Sequence, residues 1–243
     1  NFFKGLGTYF DKVQRMRKLG ALISDELLIS KEKVELSASI CKTDLISESV
    51  REFPELQGIM GSHISEAQGF DKDIVDAIKE QYLPIGLETT VPKKPYSITL
   101  SLTDKIDTLT GFFGLNEKPS SSKDPYALRR TALGIIRIII ENKKDLKIRD
   151  LMSYSSNIYL DQGFNFSNNT LQKDILNFLR DRFKYYLKEK SIRHDIIDAA
   201  TNELDINQIS TVFEKTKSLN KVINRTIGED IVSSYKRASN ILL

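Results

Sequence analysis

The sequence predicts an all-α protein, and three observations carry that reading. Apolar residues recur at spacings of three and four over most of the chain, the period of a helix face. Alternating stretches that would mark strands are nearly absent, since Thr99 to Leu102 is too short to count. All six prolines lie between Pro54 and Pro125, so the last 118 residues can run as uninterrupted helices.

The elements follow in order. Residues 6–27 place Leu6, Phe10, Val13, Met16 (or Arg17), Leu19 and Ile23 on one face of an amphipathic helix. A second helix fits 31–50, with Val34, Ala38, Cys41 and Leu45 inward. The run 54-PELQGIMG-61 starts a helix on proline, and Gly58 and Gly61 loosen it. Residues 71–82 start on an aspartate cap and stop before Pro84. A long loop over 84–97 precedes 98-ITLSLTDKIDTLTGFFG-114, where Leu102, Ile106, Leu109 and Phe113 form one stripe and Asp104 and Asp107 share a neighbouring face.

Next comes 120-SSSKDPYALRRTALGIIRIIIE-141, in which Asp124 suits an N-cap and Pro125 the first helical position. Its apolar stripe is Leu128, Ala132, Ile135 with Ile136, and Ile139. Further helices are predicted near 146–160, 168–190, 192–203 and 207–243. The hydrophilic turn 142-NKKDL-146 is the best boundary, dividing a proline-punctuated bundle at 1–145 from a proline-free helical region at 146–243.

With 40% hydrophobic and 28% charged residues the chain has an ordinary soluble composition. Thirty-six basic against 33 acidic residues give +3, which permits a nucleic-acid partner without arguing for one. Cys41 is the single cysteine, which excludes an internal disulfide and a zinc site of several thiolates, and fits a reducing cytoplasm. No apolar run approaches the ~20 residues that cross a bilayer, so no membrane partner is expected. Both ends are apolar, Phe2-Phe3 and Ile241-Leu242-Leu243, the expectation for a piece of a longer polypeptide.

Catalytic machinery is thin, and no catalytic or metal-binding residue is assigned. His63 and His194 stand far apart with no Cys/His ligand spacing, and no Gly-rich phosphate loop or nucleophile elbow occurs. Asp104 and Asp107, three apart on a helix, could accept hydrogen bonds from arginine or contribute to a metal site that nothing nearby completes. Lys123, Arg129 and Arg130 gather at a helix start where an anion is favoured, and Arg137 lies seven beyond Arg130 with Gly134 between. These four are the candidate contacts to RNA phosphates. The competing arrangement forks the arginines onto Asp104, Asp107 or Asp44. In 180-RDRFKYYLKEKSIRHD-195, basic groups alternate with Phe183, Tyr185 and Tyr186, which can serve RNA or a plain solvated face.

The motifs 5-GLGTYFDKVQRM-16, 42-KTDLISESVREFPELQGIMG-61, 103-TDKIDTLTGFFG-114, 118-KPSSSKDPYALRRTALGIIRIIIE-141 and 235-YKRASNILL-243 occur in one order across nearly the whole chain. Through them the chain resembles the β subunit of the bacterial heterotetrameric glycyl-tRNA synthetases. The resemblance implies an HD-domain-like helical bundle followed by a helical linker or body region, with the anticodon-binding domain of the family absent from this chain. It implies glycine tRNA and a separate α subunit as partners in an α2β2 assembly, no DNA, and no cofactor here. It further implies that ATP with magnesium is used on the α subunit, so this chain is expected to be a noncatalytic part of the ligase.

An HD-type metal-dependent phosphohydrolase is the alternative from another class, and a purely structural scaffold a third. In the HD pattern the His-Asp pair reads Thr43-Asp44 and the closing aspartate is Asp104 or Asp107, without the histidines. Two loops depart from the family: 62-SHISEAQGF-70 lacks a Gly-Glu ending, and Pro119-Ser120-Ser121-Ser122 lacks a glycine.

Overall fold

A computed structural model describes residues 2–166, 168–203 and 205–241. Among them all regular secondary structure is helical, apart from an isolated antiparallel bridge between Phe3 and Gly7. Helix α1 (Tyr9–Leu27) starts on a capping box: Thr8 accepts from the Asp11 amide while Asp11 accepts from Thr8. It ends where Leu28 turns left-handed, at φ 55°. Ser30 then caps α2 (Lys31–Ile40).

The predicted helix over 31–50 is broken after Cys41. A 3-10 turn at Thr43–Ile46 and the short α3 (Glu48–Glu52), capped by Ser47, replace its second half. The break lets the Asp44 carboxylate turn inward, where it accepts the amides of Gly58 at 2.7 Å and Gly61 at 3.2 Å. Gly58 sits at φ +80°, and a side chain there would come within 2.9 Å of the Ile78 carbonyl. Helices α4 (Ile59–Ala67) and α5 (Lys72–Glu80) follow, the second capped by Asp71 as its sequence implies.

Helix α6 (Pro95–Gly114) begins three residues before the predicted start, on proline at its first position. It is the axis of the fold and packs against α1, α2, α5, α7 (Leu128–Glu141), α8 (Ile148–Asp161) and α9 (Leu171–Glu189). Enclosure on nearly every side explains why its apolar stripe widens into a helix buried all round. Helix α10 is His194–Glu203, and the single helix predicted over 207–243 is two, α11 (Ile209–Ile223) and α12 (Thr226–Ile241). Leu242 and Leu243, the end of that prediction and of the 235–243 motif, lie outside the described residues.

The main core runs from Leu6 through α6, α7, α8 and α9 to Val212, and Leu146 of the 142–146 turn enters it. A second cluster around Met16, Ala38, Cys41, Ile78 and Leu100 sits under α2 and α5. Close helix contact depends on Gly111, where a Cβ would lie 2.3 Å from the Tyr159 hydroxyl. That hydroxyl is buried and donates to the Asp107 carbonyl at 3.1 Å. Gly111→Ala is therefore expected to cost about 1–3 kcal/mol by overpacking, read as a lower urea midpoint. An unchanged midpoint would contradict the close α6–α8 approach. No described helix is long and apolar enough to cross a membrane.

Candidate functional site

The start of α7 is set by Asp124, though not as a direct cap. Asp124, Pro125 and Tyr126 form a turn closed by the Ala127 amide on the Asp124 carbonyl, and Ala127 is left-handed at φ 54°. The Asp124 carboxylate then reaches forward to the amides of Leu128 and Arg129, at 2.8 and 2.9 Å. The helix consequently begins at Leu128, three residues after the predicted Pro125.

The four candidate phosphate contacts do not converge. Lys123 is exposed, and its amide donates to the Ser120 hydroxyl. Arg129 is half-buried and its guanidinium donates to the Ser120 carbonyl, stapling the serine turn to the helix. Arg130 is exposed at the mouth of a cleft of about 340 Å³ that Tyr82, Pro84, Asp104, Lys105 and Thr108 also line. Arg137 lies two turns deeper and is buried. Its guanidinium donates to the Gly86 carbonyl at 2.5 Å and to Glu141 at 2.8 Å.

The arginines of α7 do not fork onto Asp104, Asp107 or Asp44, because those carboxylates are held by other groups. Arg15 donates to Asp107 in a fork, at 2.6 and 3.3 Å, and Lys12 adds a third contact at 3.1 Å. Arg15 further donates to Gln162 at 2.9 Å and lies 3.9 Å from the Tyr159 ring centroid. Asp104 pairs with Lys42 at 2.9 Å and Lys12 at 3.4 Å. Oδ2 of Asp44 is occupied by its two glycine amides, while Oδ1 is buried without a hydrogen-bond partner.

Four basic side chains at the centre, those of Lys12, Arg15, Lys42 and Lys105, are thus 7% exposed or less. Burial alone would raise the Asp104 carboxyl, but Lys12, Lys42 and Lys105 outweigh it and hold it well below the usual carboxylate range. Burial opposes the Lys42 charge, yet Asp104 holds that ammonium well above the usual lysine range. Lys105 is different: burial brings it down to about 8, because its hydrogen bonds go to the neutral oxygens of Tyr82, Leu83 and Ser101. The room left by Gly134 holds the Lys105 stem, 2.7 Å from where a Cβ would be. Burial also pushes the Cys41 thiol up to about 12, which leaves it protonated and inert.

Sequence reasoning missed Lys12 and Arg15. It placed Phe10 inward on α1, whereas Phe10 is 70% exposed and Arg15 1%. The usable signal was spacing: Lys12 and Arg15 are three apart, as are Asp104 and Asp107, so two adjacent helices can match charge to charge. On α9, Phe183 and Tyr186 of the basic-aromatic stretch are core residues, leaving Tyr185 as its exposed ring.

A metal does not fit the aspartates. Ammonium groups neutralise Asp104, an arginine fork and Lys12 neutralise Asp107, and two amides occupy Oδ2 of Asp44, whose buried Oδ1 is not grouped with two further carboxylate, histidine or cysteine ligands among the described residues. His63 and His194 are exposed, the latter 2.9 Å from Asp198. Among the described residues no three His, Cys, Asp or Glu side chains are grouped to hold an ion.

The site thus defines an all-α bundle whose central carboxylates Asp104 and Asp107 are paired with its own cations and whose Asp44 accepts two backbone amides. More specifically, the family model described as glycyl-tRNA synthetase beta subunit matches residues 1–202, and the chain belongs to that family. Relatives named glycine–tRNA ligase beta subunit include one from Rickettsia canadensis, 39% identical over 242 residues, and one from Rhodospirillum centenum, 37% identical over 244. Another, from Ruegeria sp., is 36% identical over 241 residues. Each alignment covers 99% of this chain, which spans about a third of the relatives' length, 34% in all three.

Proposed function

We propose that this chain forms part of the β subunit of a cytoplasmic glycine–tRNA ligase, where it helps position glycine tRNA and hold an α2β2 assembly. It takes no direct part in the chemistry, which uses ATP and magnesium on the α subunit. The observation that carries this reading is similarity over 99% of the chain to proteins bearing the β-subunit name. The charge network supports a scaffold role, because an interior that neutralises itself leaves tRNA to be met at the surface.

On this reading Lys123, Arg129 and Arg130 meet RNA phosphates at the start of α7. Arg137, paired with Glu141 and the Gly86 carbonyl, fixes the 84–87 loop behind them. The test replaces Arg129 and Arg130 together by alanine in the complete β subunit and titrates glycine tRNA at several salt concentrations. Loss of two phosphate contacts is expected to lower the slope of log affinity against log salt by about 1.4–1.8, with little change in melting temperature. Unchanged tRNA binding would remove α7 from the interface. Phosphodiester hydrolysis with stoichiometric bound metal would favour a hydrolase instead.

A further inference from the structure

We propose that the open groove between the first turn of α8 and the first half of α9 binds the phosphodiester backbone of RNA, with Arg149, Lys173 and Arg180 as its cationic contacts. This rests on the tRNA-positioning reading above and adds a second surface, remote in sequence from the start of α7.

The groove has a volume of about 710 Å³, and Ser156, Asn169 and Asn177 join the three cations in lining it. Among the described residues no Asp or Glu lines it, in a chain with 33 acidic residues against 36 basic ones. The charged residues that line it are therefore all cationic, in a chain that is nearly balanced as a whole. Asp174, in the first turn of α9, is drawn to Lys118 at 2.7 Å and to the Thr170 hydroxyl at 2.7 Å. The exposed Asp205 reaches Arg149 at 3.8 Å, a contact that solvent screens.

Geometry favours a polymer over a small ligand. Lys173, Asn177 and Arg180 stand at i, i+4 and i+7, so they share one side of α9. Its two cations are about 10 Å apart along the axis, far enough to meet different phosphates of one strand. Arg149 faces them from the other wall, and the Asn169 and Asn177 amides can serve phosphate or sugar oxygens. A small-molecule site is enclosed and mostly apolar. This groove is open, polar and cationic, and both arginines offer the planar fork that fits phosphate.

The test uses the complete β subunit and glycine tRNA, with affinity measured by fluorescence anisotropy between 50 and 300 mM salt, a range chosen around the usual counterion-release window. The variant Arg149→Gln/Lys173→Gln/Arg180→Gln is expected to lower the salt slope by about 2–3 and to weaken low-salt binding about tenfold or more. A control, Lys18→Gln/Lys31→Gln/Lys72→Gln, removes the same charge elsewhere and is expected to keep the parental slope. Equal losses in both, or none in either, would overturn the groove assignment. Parental subunit that binds no tRNA would overturn the tRNA-positioning reading and this proposal with it. Should the triple variant melt early, Lys173→Gln alone changes an exposed side chain and is expected to lower the slope by about 0.7–0.9; an unchanged slope there would count against the groove.

Discussion

Replacing Asp107 by alanine is expected to cost about 3–5 kcal/mol of folding stability, because it leaves buried cations without their anion. Asp107 and its partner Arg15 are each 1% exposed, and Lys12, which also contacts it, is 2% exposed. The Arg15 side chain cannot swing to water without leaving the Tyr159 face and its bonds to Leu6 and Gln162. Lys12 keeps a neighbour in Asp104, so the uncompensated charge falls chiefly on Arg15. Urea unfolding of Asp107→Ala measures the loss, and a cost below about 1 kcal/mol would show that the pair is solvated.

The double variant Arg15→Met/Asp107→Leu separates charge from packing. Well-packed apolar groups can replace a buried pair at little cost, so it is expected to recover most of the lost stability. Recovery would mean that the α1–α6 ion pairs set which faces of the two helices meet, more than they add net stability. Failure to recover would assign the cost to the cation–π stack of Arg15 on Tyr159 and to its carbonyl and amide partners.

This network also shows where sequence reading succeeds and fails. Helices with a clear apolar face and a cap residue, such as 71–82 with Asp71, were legible because local chemistry sets both their period and their start. The all-α class followed from the same periodicity. The start of α7 was legible in its parts and misplaced by three residues, since a left-handed Ala127 is a turn conformation that no local preference of alanine signals. The break after Cys41 was invisible for a related reason. It serves Asp44, whose partners Gly58 and Gly61 lie 14 and 17 residues away, and periodicity carries no long-range pairing.

The candidate lysine and three arginines were legible from their place at a helix start and their spacing, and Arg137, deeper along the apolar helix, could be read as leaning inward; their partners could not be read. Arg137 shares a helical face with Arg130, seven residues apart, yet one is buried against Gly86 and Glu141 while the other is exposed. What separates them is the 84–87 loop, which covers α7 at Arg137. Likewise Gly134 does leave space, and the space is filled by Lys105 from α6.

Asp44→Ala is expected to cost about 2–4 kcal/mol, because it strands two buried amides at once. Asp44 is fully buried, and the Gly58 and Gly61 amides both converge on its Oδ2 at 2.7 and 3.2 Å. A Cβ on Gly61 would lie 3.1 Å from that oxygen, so the carboxylate, the glycines and the break after Cys41 form one device that fastens the 43–46 turn to the start of α4. Asp44→Asn retains a carbonyl oxygen able to accept both amides and is expected to recover at least half of the loss.

A metal ligand would behave in the opposite way. Asparagine would be a poor substitute, and added manganese would raise the parental melting temperature, since an ion bound to the folded state stabilises it by RT ln(1 + [L]/Kd). The measurements are therefore melting curves of parent, Asp44→Ala and Asp44→Asn, each with and without manganese at neutral pH. Rescue by asparagine with no shift on adding metal is expected. A manganese-dependent shift that both variants abolish would show that Asp44 ligates an ion, and would reopen the hydrolase reading.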